Sequence, residues 1–326
     1  MGKVAKIGQT GGPDMIEFED VSLPPPGKDE VRLRQTVIGV NFIDTYHRSG
    51  LYPLELPSGL GTEAVGVVEE VGSGVTDFRP GDRAGYFSTS LGAYAEARNM
   101  QAAQLFPIPD NITDDVAAAS LLKGCTAEFL IERCARVQPG QWVLVHAAAG
   151  GVGLFLVQWL KAIGATVIGT VGSEEKAAIA RAAGADHIIL YGQEDTARRV
   201  RGLTGGQGVP VVFDGVGKAT WTQSLDSTAF KCLVVSYGNS SGPVTGVALS
   251  DLANRGSLFC TRPALFHYYR EADERQAGIA RLCQMLGSGR VKVSVGQRFP
   301  LARAADAHRA LEARATTRSE EHTSEL

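Results

Sequence analysis

The residues with the clearest chemical purpose are Ala147-Ala148-Ala149-Gly150-Gly151-Val152-Gly153. They follow an apolar run, Trp142-Val143-Leu144-Val145-His146, and open another, Leu154-Phe155-Leu156-Val157. A glycine-rich turn from strand to helix sets backbone N–H groups and the positive helix end against a pyrophosphate. Gly150 and Gly151 permit the turn and the close approach, and Gly153 lets the helix pack on its sheet. The next strand ends in Gly169-Thr170-Val171-Gly172-Ser173. An NAD site needs an Asp or Glu there for the ribose hydroxyls. None is present: Glu174 and Glu175 come late, and Lys176 follows them. A small polar turn, Gly172-Ser173, beside an ammonium suits a 2′-phosphate, so the expected cofactor is NADPH. The plainer reading of Lys176 is a solvated helix lysine.

Other reactive side chains are scattered. Asn41-Phe42-Ile43-Asp44-Thr45-Tyr46-His47-Arg48 reads as a short helical turn, in which Asn41 doubles as a cap. His47 reads as a solvent-facing neighbour of Arg48, and Cys125 as a buried, inert thiol.

These groups need elements to hold them. From about Trp142 to Thr261 short β-branched runs alternate with helical stretches. The expected strands are Trp142–Ala147, Thr166–Val171, His187–Leu190, Pro210–Asp214, Leu233–Ser236 and Ser257–Thr261. Gly151–Ile163 and Glu174–Ala183 are among the helices. Such alternation means a parallel sheet with helices on both faces, a doubly wound α/β unit. The first 120 or so residues read as irregular β, with strands at Val31–Val37 and Ala64–Val71 and a helix from Val116 to Leu122 capped by Thr113. After Thr261 come a long amphipathic helix (Tyr269 to Leu286), a strand (Val291–Phe299) and a helix (Ala302–Arg314). The expectation is a split domain built from both ends, 1–123 and 267–317, around a nucleotide domain, 124–266.

Composition sets the outer limits. At 326 residues the chain suits about two domains. A net charge of -3 argues against a nucleic-acid partner, and no apolar run is long enough for a membrane helix. Five cysteines without a C-x-x-C pair fit free thiols in a cytoplasmic protein. The last stretch, Arg318-Ser319-Glu320-Glu321-His322-Thr323-Ser324-Glu325-Leu326, is polar and patternless. It reads as an appended, non-native tail (318–326) standing where a final apolar strand is expected.

Several motifs together resemble a known family. They are Asn41-Phe42-Ile43-Asp44-Thr45-Tyr46, Arg48-Ser49-Gly50-Leu51-Tyr52-Pro53, Pro57-Ser58-Gly59-Leu60-Gly61-Thr62-Glu63, His146 through Gly153, and Gly238-Asn239-Ser240-Ser241-Gly242. The chain resembles the NADPH-dependent, zeta-crystallin-like quinone oxidoreductases of the medium-chain dehydrogenase/reductase superfamily. That resemblance implies a Rossmann domain plus a GroES-like, mainly β catalytic domain. It implies Lys176, Tyr191 and Arg314 on the 2′-phosphate, and Gly151 and Val152 on the pyrophosphate. It implies Asn41 and Tyr46 at the nicotinamide and substrate in an interdomain cleft shaped by Phe42, Ile43, Asp44 and Thr45. Gly238, Asn239, Ser240 and Ser241, with Pro263, Ala264 and Leu265, would lie along the cofactor, and Phe129 and Val216 would add apolar contacts. Gly215 stands where close relatives often have Ser, which would remove a minor polar contact.

The resemblance further implies hydride or stepwise electron transfer from NADPH to a quinone, with Tyr46 donating to the developing oxyanion. The same residues would serve a reductase of α,β-unsaturated carbonyls, and a non-catalytic, crystallin-like NADPH binder is a third reading. Zinc-dependent members of the superfamily carry Cys and His near Asn41 and Thr62. Asn and Thr are poor zinc ligands, so no metal is expected. A homodimer through the edge strand 257–261 is implied as well.

Overall fold

The computed structural model describes residues 2–313 and the backbone course of 319–323. The chain divides into two units, Met1–Leu122 with Val293–Leu326, and Lys123–Lys292.

The first unit is mainly β. Its strands and helices are β1 (Gly2–Ile7), β2 (Glu17–Val21), β3 (Glu30–Gly39), α1 (Phe42–Ser49), β4 (Ser58–Gly59), β5 (Glu63–Val71), β6 (Arg83–Phe87), β7 (Ala97–Gln101) and β8 (Phe106–Pro107). Helix α2 (Asp114–Glu128) begins here and runs on into the second unit. Thr113 Oγ1 accepts from Val116 N at 3.3 Å, so the expected cap forms, but the helix runs six residues past the expected end at Leu122. Strand β3 alternates half-buried and buried residues, as its period-two sequence requires, and pairs with both β5 and β7. Ile7, Leu33, Ile38, Leu60, Val68, Tyr86 and Tyr94 fill the core beneath it.

The second unit holds β9 (Trp142–Val145), α3 (Gly151–Ala162), β10 (Thr166–Val171), α4 (Glu174–Ala182), β11 (His187–Leu190), α5 (Thr196–Leu203), β12 (Val209–Asp214), α6 (Trp221–Ser227), β13 (Thr228–Ser236), α7 (Leu249–Asn254), β14 (Phe259–Thr261), α8 (Leu265–Tyr268) and α9 (Ala272–Gly287). All its strand pairs are parallel, in the order β11-β10-β9-β12-β13-β14. This is the doubly wound Rossmann order, with its switch point between β9 and β12. Leu144, Ile168, Ile189, Val212 and Val234 form the core of the sheet. The tryptophans Trp142, Trp159 and Trp221 all belong to this unit. Trp159 is fully buried, with its indole N–H on Glu132 Oε1 at 2.8 Å.

The chain then returns to the first unit through β15 (Val295–Pro300), α10 (Ala304–Glu312) and β16 (Ser319–Thr323).

Three expectations are corrected. The long helix starts at Ala272, three residues later than expected, because Tyr269 leaves the helical path to anchor elsewhere. Its hydroxyl donates to Glu128 Oε2 at 2.7 Å, and its ring lies so close over Gly278 that a Cβ there would meet the hydroxyl at 2.2 Å. Residues 267–292, expected with the β domain, belong to the second unit. Leu282 packs on Gly124, Arg281 pairs with Glu132, and Lys292 N donates to Gln158 Oε1 at 2.8 Å. Lastly, the expected patternless tail contributes β16. It pairs parallel with β15 and antiparallel with Val37–Gly39 of β3. A ladder is made by backbone groups, so a polar segment completes it as well as an apolar one.

Candidate nucleotide and substrate sites

In the second unit the glycine-rich turn joins β9 to α3, at the carboxyl edge of the sheet. Gly150 is the N-cap of α3 and contributes no side-chain cap, so the first-turn N–H groups of the helix need an outside acceptor. A Cβ on Gly153 would fall 2.2 Å from the Ala147 carbonyl oxygen, so glycine is required there. A Cβ on Gly151 would meet Lys123 Cδ and Cε, both at 3.3 Å. The turn therefore fits a pyrophosphate.

Next to it, β10 ends at Gly172-Ser173 and α4 begins. Ser173 Oγ caps α4 by accepting from Lys176 N at 3.3 Å. Tyr191, just past β11, is half exposed and lies over Gly172, where a Cβ would meet its hydroxyl at 2.4 Å. Ser173, Lys176 and Tyr191 thus gather at one end of β10 and β11. Glu174 is exposed and pairs with Arg181. The group offers donors and a cation and suits a 2′-phosphate. Arg314, expected to join it, lies outside the described residues.

At the switch point, sequence reasoning missed Asp214. This fully buried carboxylate ends β12 and accepts from Val216 N (2.8 Å), Gly217 N (3.0 Å), Thr220 Oγ1 (2.8 Å) and Ser224 Oγ (2.6 Å). It builds the turn that carries Val216. An acid closing an apolar strand before Gly215-Val216-Gly217 was the available signal. His146 closes β9 beside it, with Nδ1 at 3.0 Å from Thr170 Oγ1, and burial pushes its imidazole below the usual range. Gly215 has its own reason: a Cβ would meet the Tyr237 ring at 2.7 Å.

The loop after β13 is tied down locally. Ser241 Oγ donates to the Val216 carbonyl and accepts from Ala219 N. Gly238, Asn239, Ser240, Pro263 and Ala264 are half-buried, while Leu265 is buried. Phe129 opens a π-helical turn (residues 129–134) and stacks on Tyr268 with centroids 4.7 Å apart. It is 1% exposed, so it packs within its unit instead of presenting an open apolar contact.

In the first unit, Asn41 is the N-cap of α1 and nearly buried. Its Nδ2 donates to Glu63 Oε2 at 2.9 Å, and Glu63 Oε1 accepts from Leu122 N at 2.5 Å. Asp44, expected to face the cofactor, is fully enclosed. It accepts from Asn41 N (2.8 Å), Thr62 Oγ1 (3.1 Å) and Tyr94 OH (3.2 Å). Burial pushes its carboxyl up to about 7, the neighbouring Glu63 adding to the rise and the hydrogen bonds opposing it. Thr45 is also buried and returns its hydroxyl to the Phe42 carbonyl at 2.7 Å. Both therefore shape the site from within.

Phe42, Ile43 and Tyr46 are half-buried. The Tyr46 ring meets Phe42 at 6.2 Å and Tyr52 edge-on at 5.3 Å. His47 stands against Tyr52, and burial holds its imidazole below the usual range. His47 is thus half-buried and not solvent-facing as expected, and its neighbour Arg48 is buried and paired with Glu312.

Family models match two stretches: an alcohol dehydrogenase GroES-like domain over residues 27–110 and a zinc-binding dehydrogenase over 151–275. A quinone oxidoreductase of Pseudomonas aeruginosa is 49% identical, over 98% of each chain. This chain belongs to the quinone oxidoreductase family of the medium-chain dehydrogenases/reductases. Another family member, the crystal structure of Escherichia coli quinone oxidoreductase complexed with NADPH, is 44% identical with a TM-score of 0.96, over 98% of this chain and 99% of that one. A 2-haloacrylate reductase of Burkholderia is 46% identical, over 96% of each chain.

The zinc in one model's name does not fit the residues here. The Asn41 amide is held by Glu63, and the Thr62 hydroxyl donates to Asp44. Neither offers the thiolate or imidazole that zinc favours.

Proposed function

We propose that the chain is an NADPH:quinone oxidoreductase, with a small-molecule quinone as acceptor. The observation that carries this is the gathering of Ser173, Lys176 and Tyr191 at the end of β10, where no Asp or Glu closes the strand, beside a glycine turn in a chain of this family. NADPH, when bound, supplies the reducing hydride, whole or as stepwise electrons. Gly150, Gly151 and Val152 would hold the pyrophosphate with backbone N–H groups, and Lys176 and Tyr191 the 2′-phosphate. Gly238 to Ser241 and Pro263 to Leu265 would line the dinucleotide. Phe42 and Ile43 would exclude water. The Tyr46 hydroxyl would donate to the oxygen on which negative charge develops. A carboxamide has no proton to give at neutral pH, so Asn41 would position and not titrate. Asp44 and Thr45 would hold α1 in place.

The 2-haloacrylate reductase relative supports a second reading, reduction of activated double bonds by the same hydride and donor. Cofactor oxidation with NADPH and NADH, offered a quinone and an enone separately, tests both. NADPH-specific quinone turnover is expected. Enone turnover alone would favour the second reading, and no turnover with either would leave a cofactor-binding protein. Tyr46→Phe should lower kcat by ~10²-fold while leaving NADPH affinity unchanged.

The exposed edge of β14, where Phe259 is 63% exposed, supports a homodimer that extends the sheet. No helix among the described residues is long and apolar enough to cross a membrane, and the free cysteines support a cytoplasmic location.

A further inference from the structure

We propose that Arg262 is a positioning residue for the dinucleotide, bracing the loop after β13 through the Asn239 amide. The inference rests on the NADPH reading above.

Arg262 is the first residue past β14, on the edge of the six-stranded sheet. Thr261 pairs with Val235 in the parallel ladder, so the residues that follow them, Arg262 and Ser236, stand side by side. The Arg262 guanidinium reaches over the end of β13. Its Nη1 donates to the Ser236 carbonyl at 2.9 Å and to the Gly238 carbonyl at 3.1 Å. Its Nη2 donates to Asn239 Oδ1 at 3.1 Å, and Asn239 Nδ2 donates to the Gly238 carbonyl at 2.9 Å. One planar cation thus ties oxygens of Ser236, Gly238 and Asn239 together where the strand becomes a loop. A lysine ammonium, a compact point charge on a flexible stem, has no such fork.

The loop is fixed at both its ends to the turn that follows β12. Tyr237 N donates to the Asp214 carbonyl and Ser241 N to the Val216 carbonyl, both at 2.8 Å. A Cβ on Gly238 would lie 2.3 Å from the Gly215 carbonyl oxygen. Asn239 lies between these ties, and Arg262 holds that middle stretch. Both polar ends of the Asn239 amide are engaged, so its side chain serves the site as a strut. The sheet order says which part of the cofactor is affected. β13 stands three places from β10, about 14 Å at the usual strand spacing. Ser173, Lys176 and Tyr191 gather at the β10–β11 end, so the braced loop serves the half of the dinucleotide remote from the 2′-phosphate.

The test compares NADPH with adenosine 2′-monophosphate, which lacks that remote half, by calorimetry on the full chain. Arg262 is exposed, so its replacement opens no core cavity. Arg262→Met should weaken NADPH by ~10-fold and leave the monophosphate unchanged. Unchanged NADPH affinity, or equal weakening of both ligands, would overturn the proposal. Arg262→Lys separates bracing from charge. It should bind NADPH as weakly as Arg262→Met, and full rescue by lysine would overturn the brace. Asn239→Ala should cost a similar factor, and the double variant little more than either single one; additive losses would show that the two residues act apart, against the proposal. An unmodified chain that binds no NADPH would sink the cofactor reading, and with it any role toward a dinucleotide. The brace itself would then be read by hydrogen exchange: the Ser241 and Gly242 amides should exchange faster in Arg262→Met, and unchanged exchange would overturn it too.

Discussion

Asp44 binds its proton more tightly in the folded chain than an exposed carboxyl does, with its carboxyl raised from 3.8 to about 7. The unfolded chain sheds that proton near pH 4 and the folded chain keeps it. This contribution to stability is therefore complete below about pH 4 and is lost progressively as pH rises to about 7. The slope is about 1.4 kcal/mol per pH unit per proton. Asp44→Asn, which keeps a neutral group there, should flatten the decline between pH 5 and 7 in urea titrations; an unchanged slope would refute a protonated Asp44. A second prediction concerns cofactor choice. Lys176→Ala and Tyr191→Phe should each raise the Kd for NADPH by ~10-fold and leave NADH unaffected, since lost charge-assisted bonds are worth about 1.5–3 kcal/mol. Equal loss for both dinucleotides would place these residues away from the 2′-phosphate.

Among the elements, the β9–α3 turn is the least forgiving. Gly153→Ala sets a methyl group against the Ala147 carbonyl and should cost about 1–3 kcal/mol, measurable as a lower denaturation midpoint, with NADPH binding lost alongside. This turn and the six-stranded parallel sheet were legible in the sequence, because β-branched runs, glycine spacing and helix periods all point the same way there. β10 and β11 fall on the expected residues, Thr166–Val171 and His187–Leu190. What escaped the sequence depends on distant partners. Tyr269 looks helical until its hydroxyl meets Glu128, 141 positions away. Asp44, Asn41 and Glu63 read as separate polar residues, yet they close on one another because Gly39, opposite Glu63 in the β3–β5 ladder, leaves room. A Cβ there would lie 2.5 Å from the Glu63 carboxylate. Phe129 reads as a ligand contact and is taken up by packing on Tyr268. β16 had no hydrophobic pattern to announce it. Removing 319–326 should bare the Val37–Gly39 edge of β3 and destabilise the first unit by roughly 2–4 kcal/mol, on several lost backbone bonds.

For the molecule as a whole, the proposed dimer has a direct test. Phe259→Lys in β14 places a charge on the exposed edge and should halve the mass seen by light scattering, while leaving NADPH binding intact. An unchanged mass would remove the edge from the interface. The distribution of tryptophan also gives the protein a built-in optical asymmetry. Trp142, Trp159 and Trp221 all report from the Rossmann unit, whereas the β unit emits only through tyrosine. Intrinsic emission excited at the red edge is therefore blind to half the protein. If the two units melt separately, emission will follow one transition and circular dichroism both, and the gap between the curves will date the loss of the β unit. Energy transfer from the same indoles to bound NADPH would likewise register cofactor capture by the Rossmann unit without any added label.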